Sequence, residues 1–482
     1  MLNNKYINRS FLYIFLCFCL HIMASYFSFG FYSDDEHFQI LEPAAYLLGL
    51  NDIVIEDITG YYWEWRLHIR MRPWLQPYIY FHFISFLRYF GIEDPFTWTL
   101  IIRLISSLFG FVSITYLFFT FKSIFFKQNS HFNFFIFFSF WFYPFLHART
   151  SAENLSITLF IFSFCILYKQ LQSKKIKLNY FLFFIASFLM GLSMVVKFNL
   201  VFTTIPFFIW MVIFKFNFFR IPIYGIGILL ALSLGLFIDY INWGNFKNTY
   251  LQFYKYNLDD TLGRLNDYGI EPWWYFFTET IAQLAPILSI FFIIGVLIFW
   301  SKNPNNPVTW ITFLTVLFIS MFGHKEIRYI FPVYIFAPLF VSYFFERFNY
   351  KYFSNILKIF VIISNLLFLS ITLFFPANSK VGVYKYIFNN IDNESKIYYL
   401  ENNPYLINNM EPFIYTKFLP VINKLDDTID KKNIWIVSNK FNLIKELPKD
   451  CLLKYTTYPQ LIFNLNNNWK RLNLNWYILY CK

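Results

Sequence analysis

Apolar runs long enough to cross a bilayer recur along this 482-residue chain, and they limit what it can fold into. After Phe11–Phe31 they lie near residues 96–121, 132–148, 154–168, 178–196, 198–214, 221–241, 279–300, 308–322, 329–345 and 354–375. A spanning helix needs about 20 mostly apolar residues, so the pattern predicts a mainly α, polytopic membrane protein with about 11 transmembrane helices. Composition agrees. Hydrophobic residues make up 57% of the chain, charged residues 14% and aromatic residues 25%. That leaves too little polar surface to coat a water-soluble globule, which excludes a cytosolic enzyme or a disordered scaffold.

The net charge of +12 does not point to nucleic acid, because the basic residues sit in short clusters between apolar runs. Lys5/Arg9, Lys122/Lys127, Lys169 with Lys174, Lys175 and Lys177, Lys215/Arg220, Lys302 and Arg347/Lys351 fall on one side if each run crosses once. The positive-inside rule makes that side cytoplasmic. Lys5 and Arg9 before the first run also fit a signal peptide, but no small-residue cleavage site follows, so a retained first helix is expected. Residues 74–90 break the alternation if counted as a crossing, and they carry Gln76, Pro77, His82 and Arg88. They are expected to form an interfacial or re-entrant helix.

Two outer loops follow, 32–73 and 242–278, and a polar tail begins at Pro376. The expected division is a membrane domain over 1–375 and a small extracytoplasmic α/β domain over 376–482. The tail mixes helical stretches such as VYKYIFNN with β-type runs such as KIYYL, NIWIVS and NWYILYC. It also holds Cys451 and Cys481, which can pair if it faces an oxidising compartment.

Polar residues concentrate on the non-cytoplasmic side. Asp34-Asp35-Glu36 follow the first run, and two readings are open: a hydrated helix N-terminus, or a general base for a hydroxyl. Trp63-Glu64-Trp65, with Arg70 beyond, suits either a sugar ring or an interfacial aromatic belt. Lys255 and Asn257, then Glu271-Pro272-Trp273-Trp274, form a similar aromatic and polar group in the second loop. His324-Lys325-Glu326-Ile327-Arg328 places three possible cations at a membrane edge, either a phosphate clamp or a short charged loop. Glu153 and Lys197 are weaker signals, and Lys197 could simply snorkel.

Read in order, Asp-Asp-Glu-His-Phe-Gln-x-x-Glu, Trp-Glu-Trp with a following Ile-Arg, Tyr-Gly-x-x-Pro-Trp-x-Tyr and His-Lys-Glu-x-Arg-Tyr-x-x-Pro resemble family 22 of the glycosyltransferases. These are the α-mannosyltransferases of glycosylphosphatidylinositol anchors and lipid-linked oligosaccharides. The resemblance implies a GT-C fold. It also implies inverting transfer of a sugar, with mannose expected, from a polyprenyl- or dolichyl-phosphate carrier to a lipid-linked glycan in the membrane. By resemblance Asp35 is the general base and Glu36 its second, and His324, Lys325 and Arg328 hold the donor phosphate. Gln39, Trp63, Glu64, Trp65, Arg70, Lys255, Asn257, Glu271, Trp273 and Trp274 contact acceptor or sugar.

The carrier phosphate is already a good leaving group, so no separate acid is required; no cofactor and no metal are expected. His37 stands where the family commonly has an aromatic residue, Met71 where it has Ser, and Glu271 where it often has His. The rivals are a GT-C transferase acting on lipid A or protein, and, more distantly, a multi-pass transporter. A bacterial inner membrane is the favoured location, or the endoplasmic reticulum in a eukaryote, with the active site on the non-cytoplasmic face.

Overall fold

A computed structural model describes residues 4–50, 70–126, 131–172, 179–258, 269–348, 351–426, 432–445, 447, 450–459, 464 and 475–482. The chain forms two compact units. The first comprises Met1–Ser25, Glu64–Gln76 and Arg103–Leu373; the second comprises Tyr26–Trp63, Pro77–Ile102 and Phe374–Lys482.

Among the described residues, six helical stretches are long and apolar enough to cross a membrane: Ser10–Phe27, Pro95–Phe125, Ala152–Gln172, Phe198–Lys215, Arg220–Trp243 and Tyr352–Asn390. Counting each of two bent pairs as one span raises the number to eight. These pairs are Pro286–Lys302 with Pro307–Ser320, bent by 120°, and Ile327–Tyr334 with Ala337–Arg347, bent by 57°. Helix length and composition thus support six to eight crossings where the run count reaches 11. The difference comes from local breaks. The run near 132–148 is split into His131–Phe138 and Phe142–His147, and Tyr180–Val196 has only 17 residues. Residues 74–90 form a helix over Leu75–Tyr89. Its 15 residues reach about 22 Å at 1.5 Å each, short of a roughly 30 Å hydrocarbon core.

In the first unit, small residues let helices approach closely. A Cβ on Gly191 would lie 2.6 Å from that of Ala231, and one on Gly227 would lie 2.7 Å from that of Ser187. Helices Tyr180–Val196 and Arg220–Trp243 therefore pack backbone to backbone, as membrane helices do where no hydrophobic force separates helix from lipid. This packing matters for the site because Lys197 directly follows one of these helices and Trp243 ends the other.

The second unit contains a five-stranded mixed sheet ordered β2-β1-β3-β5-β4. Its strands are β1 (Ile397–Tyr399), β2 (Ile422–Lys424), β3 (Ile434–Ser438), β4 (Cys451–Thr456) and β5 (Tyr477–Cys481). β1 runs parallel to both β2 and β3, while β5 runs antiparallel to β3 and β4. Cys451 and Cys481 face each other across β4 and β5 and form a disulfide. Between β1 and β2 in the chain lies a helical turn at Phe413–Thr416 whose Ile414 and Tyr415 are buried. Phe96 stacks on Tyr415 with ring centroids 5.1 Å apart. That contact brings the start of the Pro95–Phe125 helix into this unit.

Candidate active site

The acidic motif of the second unit forms one irregular helix. Asp34–Glu36 makes an α-turn, His37–Leu41 widens to π geometry and Glu42–Leu47 returns to α. In the widened turn the Glu42 amide bonds to the His37 carbonyl, which places residues five apart on one face. The His37 Nε2 and Glu42 Oε1 atoms consequently meet at 2.8 Å, both residues being buried. Glu42 Oε1 also accepts the Ile414 amide at 3.2 Å. The His37 ring packs between Phe31 and Tyr415, with centroids 4.7 and 5.7 Å away. Its aromatic shape thus serves where the resemblance expects an aromatic residue.

Three neighbouring carboxylates have different surroundings. Glu36 is buried and accepts the Tyr32 amide at 2.8 Å, closing the turn that enters the helix. Asp34 is half-buried and accepts from the Asn408 side-chain amide. Burial pushes its carboxyl up, Asp35 adds to this, and Asn408, His37 and Lys380 oppose it. Asp35 is also half-buried, while Gln39 lies buried in the π segment.

In the first unit, the predicted cations lie in the loop before the turn Ile327–Ile330 (His324, Lys325) and within that turn (Arg328), and each has protein partners. The Lys325 ammonium points at backbone carbonyls: Glu271 at 2.6 Å, Gly323 at 3.4 Å, and Phe322. The Glu271 amide donates in turn to the Gly323 carbonyl at 3.0 Å. Lys325 therefore ties the Glu271 turn to its own loop, and burial lowers its pKa while Glu271 opposes that. Arg328 pairs with Glu326, which also meets His324 Nε2 at 3.3 Å and accepts the Tyr329 hydroxyl at 3.2 Å. Glu153 lies 3.8 Å from Arg328 and 2.8 Å from the Lys197 ammonium. Lys197 does not snorkel. It follows the last turn of Tyr180–Val196, and Glu153 occupies the first turn of Ala152–Gln172, so each charge also complements a helix dipole.

A third group lies at the end of the Arg220–Trp243 span. Arg70 is buried, stacks 5.1 Å from the Trp243 ring centroid and donates Nη1 to the Asn245 side chain. Asp239, inside that span, accepts the Trp74 amide at 2.8 Å and the Thr249 hydroxyl at 2.6 Å. An aspartate in an apolar run is a signal that sequence reading passed over; here it fastens the Arg70–Trp74 strip to the second loop. Lys255 is exposed on the helix Thr249–Leu258. Trp273 and Trp274 are exposed and meet edge to face at 5.6 Å, beside the tethered Glu271. Trp63, Glu64 and Trp65 lie outside the described residues, as does the Asn257 side chain. Among the described residues no group of three or more His, Cys, Asp and Glu side chains could hold a metal ion.

A profile of the Alg9-like mannosyltransferases matches residues 12–411, most of the chain. The chain belongs to the Alg9-like mannosyltransferase family. Within this family's range, it is 26% identical over 332 residues to "GPI alpha-1,2-mannosyltransferase 3" of Bos taurus, covering 68% of this chain and 56% of the relative. It is 24% identical over 352 residues to "Mannosyltransferase APTG1" of Arabidopsis thaliana, covering 69% and 58%. The aligned part thus spans somewhat over half the length of these relatives. Among solved structures, apo ArnT from Cupriavidus metallidurans superposes with a TM-score of 0.52 at 9% identity, covering 97% of both chains. That likeness shows the fold: a mainly α, polytopic GT-C membrane protein with a small C-terminal sheet.

Proposed function

We propose that the protein is a membrane α-mannosyltransferase. It moves mannose, with inversion, from a polyprenyl- or dolichyl-phosphate carrier to a lipid-linked glycan. The observation that carries this reading is the family match over residues 12–411. Relatives named as glycosylphosphatidylinositol mannosyltransferases support the sugar and the acceptor class. ArnT from Cupriavidus metallidurans, solved bound to undecaprenyl phosphate, supports the carrier class.

The chemistry needs a base for the attacking hydroxyl and positive charge for the departing phosphate. Asp35 is assigned the base. That assignment follows the resemblance in the motif; beside it, Glu36 accepts the Tyr32 amide and Asp34 accepts from Asn408. In the other unit, Arg328 and His324 are assigned to the donor phosphate, with Glu326 and Glu153 orienting the guanidinium. Lys325 is assigned to hold that loop in place. The acceptor or sugar role stays with Gln39, Trp63, Glu64, Trp65, Arg70, Lys255, Asn257, Glu271, Trp273 and Trp274. No metal or cofactor is assigned.

The chain is a multi-pass membrane protein, and we place its active site and its tail on the non-cytoplasmic face. The Cys451–Cys481 disulfide supports that side, because disulfides persist in oxidising compartments. The relatives just named are eukaryotic, which weighs toward the endoplasmic reticulum over a bacterial inner membrane. Cysteine labelling at Asn402 and at Gln172 should report opposite sides of the membrane; labelling of both from one side defeats the topology. An in vitro assay offering mannosyl-, glucosyl- and aminoarabinosyl-polyprenyl phosphates tests the reaction. Transfer confined to a sugar other than mannose defeats the donor assignment.

A further inference from the structure

We infer that the tail positions the acidic helix for transfer, with Asn408 and Glu42 as positioning residues that act through Asp35. Two tail elements hold that helix: the turn Ile407–Met410 at its start and the helical turn Phe413–Thr416 at its widened middle. The inference rests on the transferase reading and on Asp35 as the base. The hold itself rests on geometry within the second unit, to which helix and tail both belong.

The first element is a tight hairpin. Ile407 and Met410 exchange both amide–carbonyl bonds, each 2.8 Å, around Asn408 and Asn409. Those two residues have φ of 48° and 63°. Two-residue hairpin turns of this kind need positive φ at both central positions, which asparagine tolerates. The Asn-Asn pair thus builds a tip of fixed shape, from which the exposed Asn408 side-chain amide donates to Asp34. Left-handed residues other than glycine carry a cost and concentrate at clamps and switch regions. One residue before the turn, the Leu406 carbonyl accepts from the Lys380 ammonium of the helix Ser379–Asn390. The tail also packs on the chain entering the acidic helix. There the Ala377 amide donates to the Phe29 carbonyl at 2.8 Å, and a Cβ on Gly30 would lie 2.9 Å from that of Asn378.

The second element holds the widened turn. Glu42 Oε1 meets both His37 Nε2 and the Ile414 amide, while Tyr415 stacks on the His37 ring. The π segment His37–Leu41 accommodates one residue more than an α-turn, a geometry that is rare and frequent at functional sites. Relaxation to α geometry would expel that residue. It would turn Asp34–Glu36 by about 100° around the helix axis relative to Glu42–Leu47. A base displaced by as little as about 1 Å can lose on the order of 10²-fold in rate. Asn408 and Ile414 therefore bind on either side of Asp35 in the chain, one fixing the start of the segment and the other its rotation.

The test reads transfer and backbone protection on the full chain in detergent. Asn408→Gly keeps the left-handed backbone and removes the side-chain amide. Asn409→Gly makes the same backbone change one residue on, where no bond to the acidic helix exists among the described residues. Asn408→Gly should lower kcat for mannose transfer about 10-fold, with donor KM and thermal transition unchanged, and Asn409→Gly should match the parent. In an Asp35→Asn background the Asn408→Gly loss should shrink below about 2-fold, because no base remains to be misplaced. Glu42→Ala should cost about 10²-fold, and Glu42→Gln, which keeps an acceptor oxygen, should recover most of it. Should Glu42→Ala fail to fold, Asn408→Gly carries the test alone. Equal kcat for Asn408→Gly and Asn409→Gly, or an undiminished loss in the Asp35→Asn background, overturns the inference. Amide hydrogen exchange over residues 29–47 separates the hold from the transferase reading: it should quicken in Asn408→Gly and not in Asn409→Gly. A parent that transfers no mannose sinks the transferase reading; faster exchange in Asn408→Gly then still upholds the hold, and equal exchange in both variants overturns it.

Discussion

The acidic helix at Asp34–Leu47 and the cationic loop at Gly323–Tyr329 are both dense in charge, and they use it differently. In the helix, His37 pairs with Glu42, Glu36 takes the Tyr32 amide and Asp34 takes the Asn408 side-chain amide, with half-buried Asp35 between Asp34 and Glu36. In the loop, the ammonium of Lys325 is spent on carbonyls, while the guanidinium of Arg328 is steered by two carboxylates. Adjacent charges in one motif therefore differ in what holds them: backbone groups for Lys325 and Glu36, side chains for Arg328, Asp34 and Glu42. The difference follows from burial: a charge taken from water must be paired or hydrogen-bonded, and the local backbone and side chains decide by what.

The sharpest way to break this comparison is Asp35→Asn. General-base catalysis is typically worth about 10²- to 10⁴-fold, and a loss in that range is expected in a transfer assay with the protein still inserted and folded. Retained activity would move the base elsewhere in the motif. Next comes Arg328→Ala. A charge-assisted contact is worth roughly 1.5–3 kcal/mol, so the rate at subsaturating donor should fall about 10- to 150-fold. An unchanged rate removes Arg328 from the donor site.

Lys325→Met sharpens the contrast inside the loop. Three hydrogen bonds to carbonyls disappear, and the Glu271 turn loses its tether. The expected cost is about 2 kcal/mol of stability, read as a lower thermal transition, with donor affinity changing less than in Arg328→Ala. If donor affinity falls more than stability, Lys325 touches the phosphate after all.

Much of this was legible in the chain itself. Apolar runs mark the helices because lipid demands length and hydrophobicity, and motif order marks the family. The tail's short β-type runs correspond to β1, β3 and β5. Span number was harder to read, because breaks such as Asn303-Pro304 and the short Tyr180–Val196 decide which runs can cross. Partner choice was hidden altogether. Nothing in the order of residues says that Glu153 meets Lys197, 44 positions away, or that His37 reaches Glu42 through a π-turn. Charge spacing suggested that His324, Lys325 and Arg328 act alike; only the carbonyls around Lys325 separate them.

The smallest expected effect, and the most discriminating within the acidic helix, is Asp34→Asn. Asp34 lies one residue before the assigned base, yet its side chain is held by Asn408 and its carboxyl is pushed up by burial. A carboxyl whose folded pKa is raised favours the folded state at low pH, and that contribution is lost as pH rises through the folded pKa. Asn removes this titration. The variant should therefore be at least as stable as the parent at neutral pH and show a flatter dependence of its thermal transition on pH. An Asn oxygen can still accept from Asn408, so the turn should survive. Transfer should fall only on the order of a few-fold, through loss of negative charge next to Asp35, against the far larger loss for Asp35→Asn. If Asp34→Asn abolishes transfer while Asp35→Asn does not, the two aspartates have exchanged roles, and the comparison between scaffold and catalytic charge in this helix must be redrawn around Asp34.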